Sequence, residues 1–303
     1  MSTEELRRIR VLVNPKSGVR WSFKAVQQAI DTSWNAPDRD ITYQFTHDVD
    51  DGIRKTERAV EQGVDLLLVV GGDGTVSSVG RVLVGTDVCL GTIPAGSGNG
   101  FARHFGIPLS PVKAARTLVN AEVKRIDVGL VNDRPFFITC SMAWDAAIVR
   151  SFDKMPVRGI IPYIFAGAYE LLEYRPSEVT VEFDDGSEPL VVGDPLVCTV
   201  ANLSQYGGGA VIAPHAQPDD GLLELVIARC QHAPLLIANI GKFLNGAITD
   251  IPEVISRRFR SLIAHRPDAG IIQVDGELVD SPANVRISVT PRAINVLVPT
   301  SQA

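Results

Sequence analysis

A chain of 303 residues is about twice the length of a usual domain, so two domains are expected. Its 45% hydrophobic and 21% charged content is that of a globular protein and excludes a disordered chain or a disulfide-stapled mini-fold. A net charge of −6 leaves no electrostatic footprint for nucleic acid.

The four cysteines, Cys89, Cys140, Cys198 and Cys230, form no C-x-x-C pair and read as buried thiols of a reducing compartment. No charged-then-apolar leader opens the sequence, and no apolar run reaches the roughly 18 residues of a membrane span. The expectation is a cytoplasmic protein that visits a membrane, if at all, peripherally at its inner face. The basic runs Arg7, Arg8, Arg10 and Arg257, Arg258, Arg260 read first as solvated surface and second as contacts to phosphate or anionic lipid.

In chain order, "IRVLVN" (Ile9 to Asn14) predicts a strand, "FKAVQQAI" a helix and "ITYQFT" a second strand. "DDGIRKTERAVEQG" is a helix with Asp50 or Asp51 near its start and Gly63 beyond its end. "DLLLVV" is apolar on both faces, as at the centre of a parallel sheet. A helix from about Thr75, the strand "VCLGTIP" and a helix with Ser110 as N-cap and Pro111 first complete a parallel α/β pattern.

After about Lys124 the style changes to an antiparallel β pattern. "KRIDVGLV", "PFFITCSMAW", "EVTVEF", "LVCTVANL", "LLELVIA", "IIQVDGELV" and "VRISV" are strand-like, separated by turns such as "FDDGSEP" and "PDDG". Two apolar helical insertions interrupt it, Gly159 to Tyr174 and Ala233 to Ile248, which either cover a core or line an apolar channel.

The run "LLLVVGGDGTVSS" ends a buried strand on Gly71, Gly72, Asp73, Gly74 and Thr75. The carboxyl end of a parallel strand is where open α/β sheets bind ligands. Glycines flanking Asp73 remove neighbouring side chains, so an anion can approach the backbone and a metal can bridge it to the acid. The following helix aims its unpaired N–H groups and positive dipole end at that anion. A polyphosphate with Mg²⁺ fits this pattern. A second glycine loop, "PAGSGNG" (Gly96, Gly98, Gly100), follows one βα unit later and "NPKSG" (Asn14 to Gly18) precedes it, so Lys16, Ser97 and Asn99 supply donors if the three strand ends converge. The spacing is neither the Rossmann fingerprint nor a Walker P-loop. The histidines (His47, His104, His215, His232, His265) lack metal-ligand spacing, and there is no G-x-S-x-G elbow.

The ordered motifs "VNPKSG", "GGDGT", "PAGSGNGFAR", "RIDVG", "PDDGLLELVI" and "VDGE" span Val13 to Glu277. Together they resemble the diacylglycerol kinase catalytic family, which takes in bacterial soluble diacylglycerol kinases, related lipid kinases and sphingosine kinases. The resemblance implies an α/β N-terminal domain (1–125) with a parallel sheet, NAD kinase/diacylglycerol kinase-like, a C-terminal antiparallel β-sandwich (126–303), and ATP in a cleft between them. It implies nucleotide contacts from Asn14, Pro15, Lys16, Ser17 and Gly18, from Thr46, from Gly71, Gly72, Asp73, Gly74, Thr75, Val76, Ser77 and Ser78, and from Gly96, Ser97, Gly98 and Asn99. Asp73 is implied near the Mg²⁺–phosphate centre and Asp127 on metal-bound water. A structural magnesium is implied on the Asp220 side chain and the carbonyls of Gln217 and Leu222, where "PDDG" alone reads as an ordinary type I turn.

The catalytic base is implied in "VDGE", as Asp275 or Glu277. An alcohol is a poor nucleophile, and a carboxylate within hydrogen-bond reach can take its proton as the γ-phosphoryl transfers. Two acids two apart on a strand share a face unless Gly276 breaks it, and both stay candidates.

The chain departs from the family at Ser77 and Ser78, where Asn-Glu is common, and at Gly96-Ser97-Gly98-Asn99-Gly100-Phe101, where bacterial lipid kinases tend to read Gly-Thr-x-Asn-Asp-Phe. Gly-Ser-Gly-Asn and "SMAW" (Ser141 to Trp144) are more like the sphingosine kinases. The acid expected after that motif falls on Ser151, with Asp145 and Asp153 nearby; Ser141 and Asp145 are the candidate substrate residues. The expectation is an ATP- and Mg²⁺-dependent lipid kinase acting on a diacylglycerol-like or sphingoid hydroxyl at a membrane surface. Ile160, Ile161, Tyr163, Ile164 and Phe165 would hold the acyl chains, and a homodimer would match many family members. A soluble-substrate kinase of the NAD-kinase kind and a catalytically lapsed nucleotide- or lipid-binding protein are the alternatives.

Overall fold

The computed structural model describes residues 3–18, 21–143 and 174–300. The chain divides into two compact units, Met1–Ile126 with Arg292–Ala303, and Asp127–Pro291.

In the first unit, β1 (Arg8–Val13), β2 (Asp40–Phe45), β3 (Leu66–Gly71) and β4 (Cys89–Pro94) form a parallel sheet in the order β2-β1-β3-β4. All residues of β3 and β4 are buried, which is why these stretches carry no polar alternation. Helices α1 (Phe23–Ser33), α2 (Val49–Glu61), α3 (Asp73–Leu83), α4 (Gly100–His104) and α5 (Pro111–Leu118) follow the strands. Ser22 caps α1, and Asp48 caps α2 by accepting the Asp51 N–H at 2.8 Å, with Asp50 and Asp51 in the first turn. Gly63 ends α2 with φ +63°, a left-handed conformation that favours glycine. Trp34 is fully buried and donates its indole N–H to Ala115 O at 2.9 Å, joining α1 to α5.

The second unit is a β-sandwich. One sheet is antiparallel in the order β14 (Ile255–Phe259), β13 (Leu223–Arg229), β10 (Pro195–Ala201), β7 (Thr139–Ser141), β16 (Gly270–Val274), β17 (Glu277–Ser281). The other pairs the start of β18 (Asn284–Val298) with β15 (Ser261–His265), then β8 (Val179–Phe183) and β9 (Leu190–Val192). Cys140, Val200, Leu225 and Val274 from the first sheet and Val181, Leu262, Val285 and Ile287 from the second share one buried core. The sequence "PFFITCSMAW" yields β6 (Arg134–Phe136), which pairs with β5 (Glu122–Val131), and then β7, instead of one strand. The run Ala233 to Ile248 folds as two short helices, α6 (Ala233–Ala238) and α7 (Ile240–Asn245), with Gly246 in left-handed conformation behind them. The expected helix at 159–174, with its acyl-chain residues Ile160, Ile161, Tyr163, Ile164 and Phe165, falls outside the described residues but for Tyr174.

The last residues, expected in the second domain, belong to the first unit. Asn295 and Val296 pair in parallel with Cys89 and Leu90 of β4, and Leu297 joins the core of that unit. The apolar end of β18 there completes the parallel sheet. Of the four cysteines, Cys89, Cys140 and Cys198 are buried and Cys230 is partly so. No helix among the described residues is long and apolar enough to cross a membrane.

Candidate functional site

Three strand ends of the first unit meet. Asn14 follows β1, donates its N–H to Val70 O at 2.9 Å and its side-chain amide to Thr75 Oγ1 at 2.9 Å, and accepts the Lys16 N–H at 3.0 Å. Gly18, at φ +66°, lies so close to the third loop that a Cβ there would sit 2.1 Å from Ala95 O. A Cβ on Gly96 would sit 2.6 Å from Gly72 Cα, so these two glycines allow backbone to pack on backbone. At Gly74 a Cβ would meet nothing within 4 Å, which leaves the start of α3 open beside its first N–H groups. Thr46 is buried and donates its N–H to Val13 O at 2.9 Å, beside the first loop. Lys16 is exposed and its ammonium reaches His47 O at 2.9 Å.

Asp73 is the first residue of α3, not a residue ahead of it, with Gly72 as N-cap. Its carboxylate accepts the N–H groups of Gly100 at 2.9 Å and Phe101 at 3.1 Å, so it caps α4. Burial pushes its carboxyl above the usual carboxylate range, against the pull of those N–H groups and of the Arg103 charge. Asn99, at φ 51°, closes the loop on itself: Oδ1 accepts the Gly96 N–H at 3.0 Å and Nδ2 donates to Gly96 O at 2.8 Å. Ser77 and Ser78 are buried; Ser77 accepts from Arg81 at 2.9 Å and Ser78 donates to Thr75 O at 3.1 Å, so both hydroxyls hold α3.

In the second unit "VDGE" is a hairpin turn and not a continuous strand. Asp275 (φ 49°) and Gly276 (φ 87°) are the two turn residues between β16 and β17, the Asp-Gly pair that a two-residue hairpin with both φ positive prefers. The two acids therefore do not share a strand face. Asp275 is buried and accepts the N–H groups of Phe137 at 2.9 Å, Ile138 at 2.8 Å and Thr139 at 3.2 Å. Glu277 is half-buried and ion-paired with Arg134. Nothing in the spacing of the sequence singles out Arg134.

Asp127 is fully buried, and its carboxylate accepts the Gly221 N–H at 2.6 Å. Its N–H donates to Pro218 O and its carbonyl accepts from Asn202 at 3.0 Å, so it fastens the "PDDG" loop. Asp220 accepts the Leu222 N–H at 3.0 Å on one oxygen and is ion-paired with Arg258 on the other. The Arg258 guanidinium thus pairs with an oxygen of the carboxylate that the resemblance assigns to the cation. No group of three or more His, Cys, Asp or Glu that could hold an ion occurs among the described residues. The first unit fits a different case, since magnesium carried chiefly by phosphate oxygens and water needs few protein ligands.

Ser141 is buried and sits 3.0 Å from Tyr206 Oη, 3.1 Å from Gln273 Oε1 and 3.4 Å from Thr199 Oγ1, a polar row across β10, β7 and β16. Asp145 and Trp144 lie outside the described residues.

A parallel α/β unit with glycine-lined strand ends and an antiparallel sandwich define a two-domain fold of the diacylglycerol kinase and NAD kinase type. Residues 8–131 match the diacylglycerol kinase catalytic domain, and residues 139–298 match the YegS C-terminal NAD kinase beta sandwich-like domain. The chain belongs to the diacylglycerol kinase catalytic family, a family of lipid kinases. It is 32% identical over 311 residues to a diacylglycerol kinase of Mycobacterium tuberculosis, covering 99% of each chain, and 30% identical over 250 residues to one of Bacillus subtilis, covering 80% and 78%. A crystal structure of a diacylglycerol kinase from Bacillus anthracis shares the fold, with a TM-score of 0.78 at 20% identity over 99% of both chains.

Proposed function

We propose that this protein transfers the γ-phosphoryl group of ATP to the hydroxyl of a diacylglycerol-like lipid taken from a membrane surface, with Mg²⁺ as cofactor. The observation that carries the reading is the meeting of three glycine-lined strand ends beside the open start of α3. The near full-length likeness to a protein named diacylglycerol kinase supports the lipid as acceptor.

The loops at Asn14–Gly18, Gly72–Ser78 and Gly96–Asn99 enclose the phosphates, the first N–H groups of α3 are directed at them, and the Lys16 ammonium balances their charge. Magnesium, when bound, neutralises charge that develops on the phosphate oxygens. Asp73 shapes the site from beneath, because its carboxylate holds the start of α4 in place.

Glu277 takes the hydroxyl proton on its carboxylate. Asp275 is committed to three backbone donors, which leaves it the role of anchoring the turn that presents Glu277.

The test is transfer of labelled γ-phosphate from Mg·ATP to diacylglycerol, sphingosine and monoacylglycerol in mixed micelles, with NAD as the soluble control. Strong labelling of diacylglycerol supports the reading. Labelling of NAD alone, or of nothing by a protein that binds ATP, overturns it.

A further inference from the structure

We propose that Arg134 is the positioning residue of the Glu277 carboxylate, an inference that rests on Glu277 as the proton acceptor. The two side chains are ion-paired, each about one-third exposed (33% and 34%), so the contact sits at a surface a substrate can reach while part of each side chain is packed.

The backbone that carries Arg134 is fixed on both sides. Before it, Asn132 and Asp133 form a left-handed turn (φ 46° and 67°). Asn132 pins that turn by donating Nδ2 to Ser281 Oγ at 3.0 Å and accepting the Arg286 N–H on Oδ1 at 2.9 Å. After it, Pro135 restricts Arg134 to extended backbone, and Phe136 and Phe137 are fully buried. The same segment then clasps Asp275 through the N–H groups of Phe137, Ile138 and Thr139.

Residues 132–139 therefore grip the hairpin carrying Glu277 at three levels: Asn132 on Ser281, Arg134 on Glu277, and residues 137–139 on Asp275. The Nε–H of Arg134 is buried without a hydrogen-bond partner, so the guanidinium is directed by its contact with Glu277 and not by a competing acceptor at Nε. A flexible glutamate loses reach and rotamer definition without such a partner, and general-base transfer depends on geometry held within a fraction of an ångström.

The experiment compares wild type, R134Q, R134A, R134K and E277Q in steady-state transfer to the most strongly labelled lipid of the micelle panel, with melting temperature measured on each. Expected for R134Q is a fall in kcat of about tenfold or more, with KM for ATP and lipid within about twofold and melting near wild type. R134K should recover part of kcat, and guanidinium chloride at low millimolar concentration should raise the rate of R134A. Wild-type kcat in R134Q beside an inactive E277Q overturns the positioning role and leaves the proton-acceptor reading intact. Wild-type kcat in E277Q overturns that reading itself. Should R134Q not fold, R134K carries the test: reduced kcat with wild-type melting supports the role, and unchanged kcat overturns it.

Discussion

Asp275 and Glu277 stand on either side of Gly276, yet Asp275 is clasped by three backbone N–H groups while Glu277 lies half-exposed against Arg134. The pair divides into an anchor and an acceptor. Asp275→Ala strands three buried donors at about 1–3 kcal/mol each, so unfolding should become easier by about 3 kcal/mol or more. Glu277→Gln should abolish turnover and change stability by no more than about 1 kcal/mol, as expected for a half-exposed ion pair. Denaturant melts with parallel turnover assays check both; equal stability loss in the two variants contradicts the division.

Asp73 predicts a mixed phenotype. Asp73→Ala removes the acceptor for Gly100 and Phe101, a loss of about 1–2 kcal/mol by analogy with helix caps, and lets the Gly96–Asn99 loop shift. Turnover should fall at least a hundredfold while the protein stays folded. A variant with unchanged melting and near-wild-type turnover contradicts the capping role.

How far the sequence was legible depends on where the partner residues lie. The buried β3 and β4 and the glycine loops were visible, because uninterrupted apolar runs and clustered glycines are local signals. The cap by Asp73 was not, since its donors lie 27 and 28 residues onward and are backbone groups that carry no side-chain signature. β14 and β15 escaped notice because "ISRRF" and "SLIAH" alternate weakly, with Arg257 drawn over Phe183 at 3.7 Å to the ring centroid. The Asp275-Gly276 turn carried its signal in plain view, but the apolar residues on both sides extended the strand pattern across it.

The "PDDG" loop should be held by charge from within the chain. Arg258 occupies the Asp220 carboxylate, so a chelator should leave melting unchanged. Asp220→Ala and Arg258→Ala should each cost about 1 kcal/mol, and the double variant little more than either alone. A chelator-induced fall in melting temperature that magnesium reverses contradicts this.

Glu224 is buried with Oε2 unpartnered, and burial pushes its carboxyl above the usual range against a hydrogen bond from Ser256 and the charge of His215. A raised carboxyl favours the fold while protonated, at and below about pH 4, and that contribution is lost as pH rises through the folded value. Glu224→Gln should therefore melt a few degrees higher than wild type at pH 7, with the gap closing toward pH 4. A gap that is the same at both pH values contradicts the shift.

The central claim is that this chain moves a phosphoryl group from ATP to a lipid hydroxyl with Glu277 as proton acceptor. The most direct measurement is labelled γ-phosphate transfer from Mg·ATP to diacylglycerol in mixed micelles by wild type and Glu277→Gln side by side. The account predicts a phosphorylated lipid from wild type and none above background from the folded variant. Equal labelling by both proteins, or none by wild type with any lipid of the panel, contradicts it.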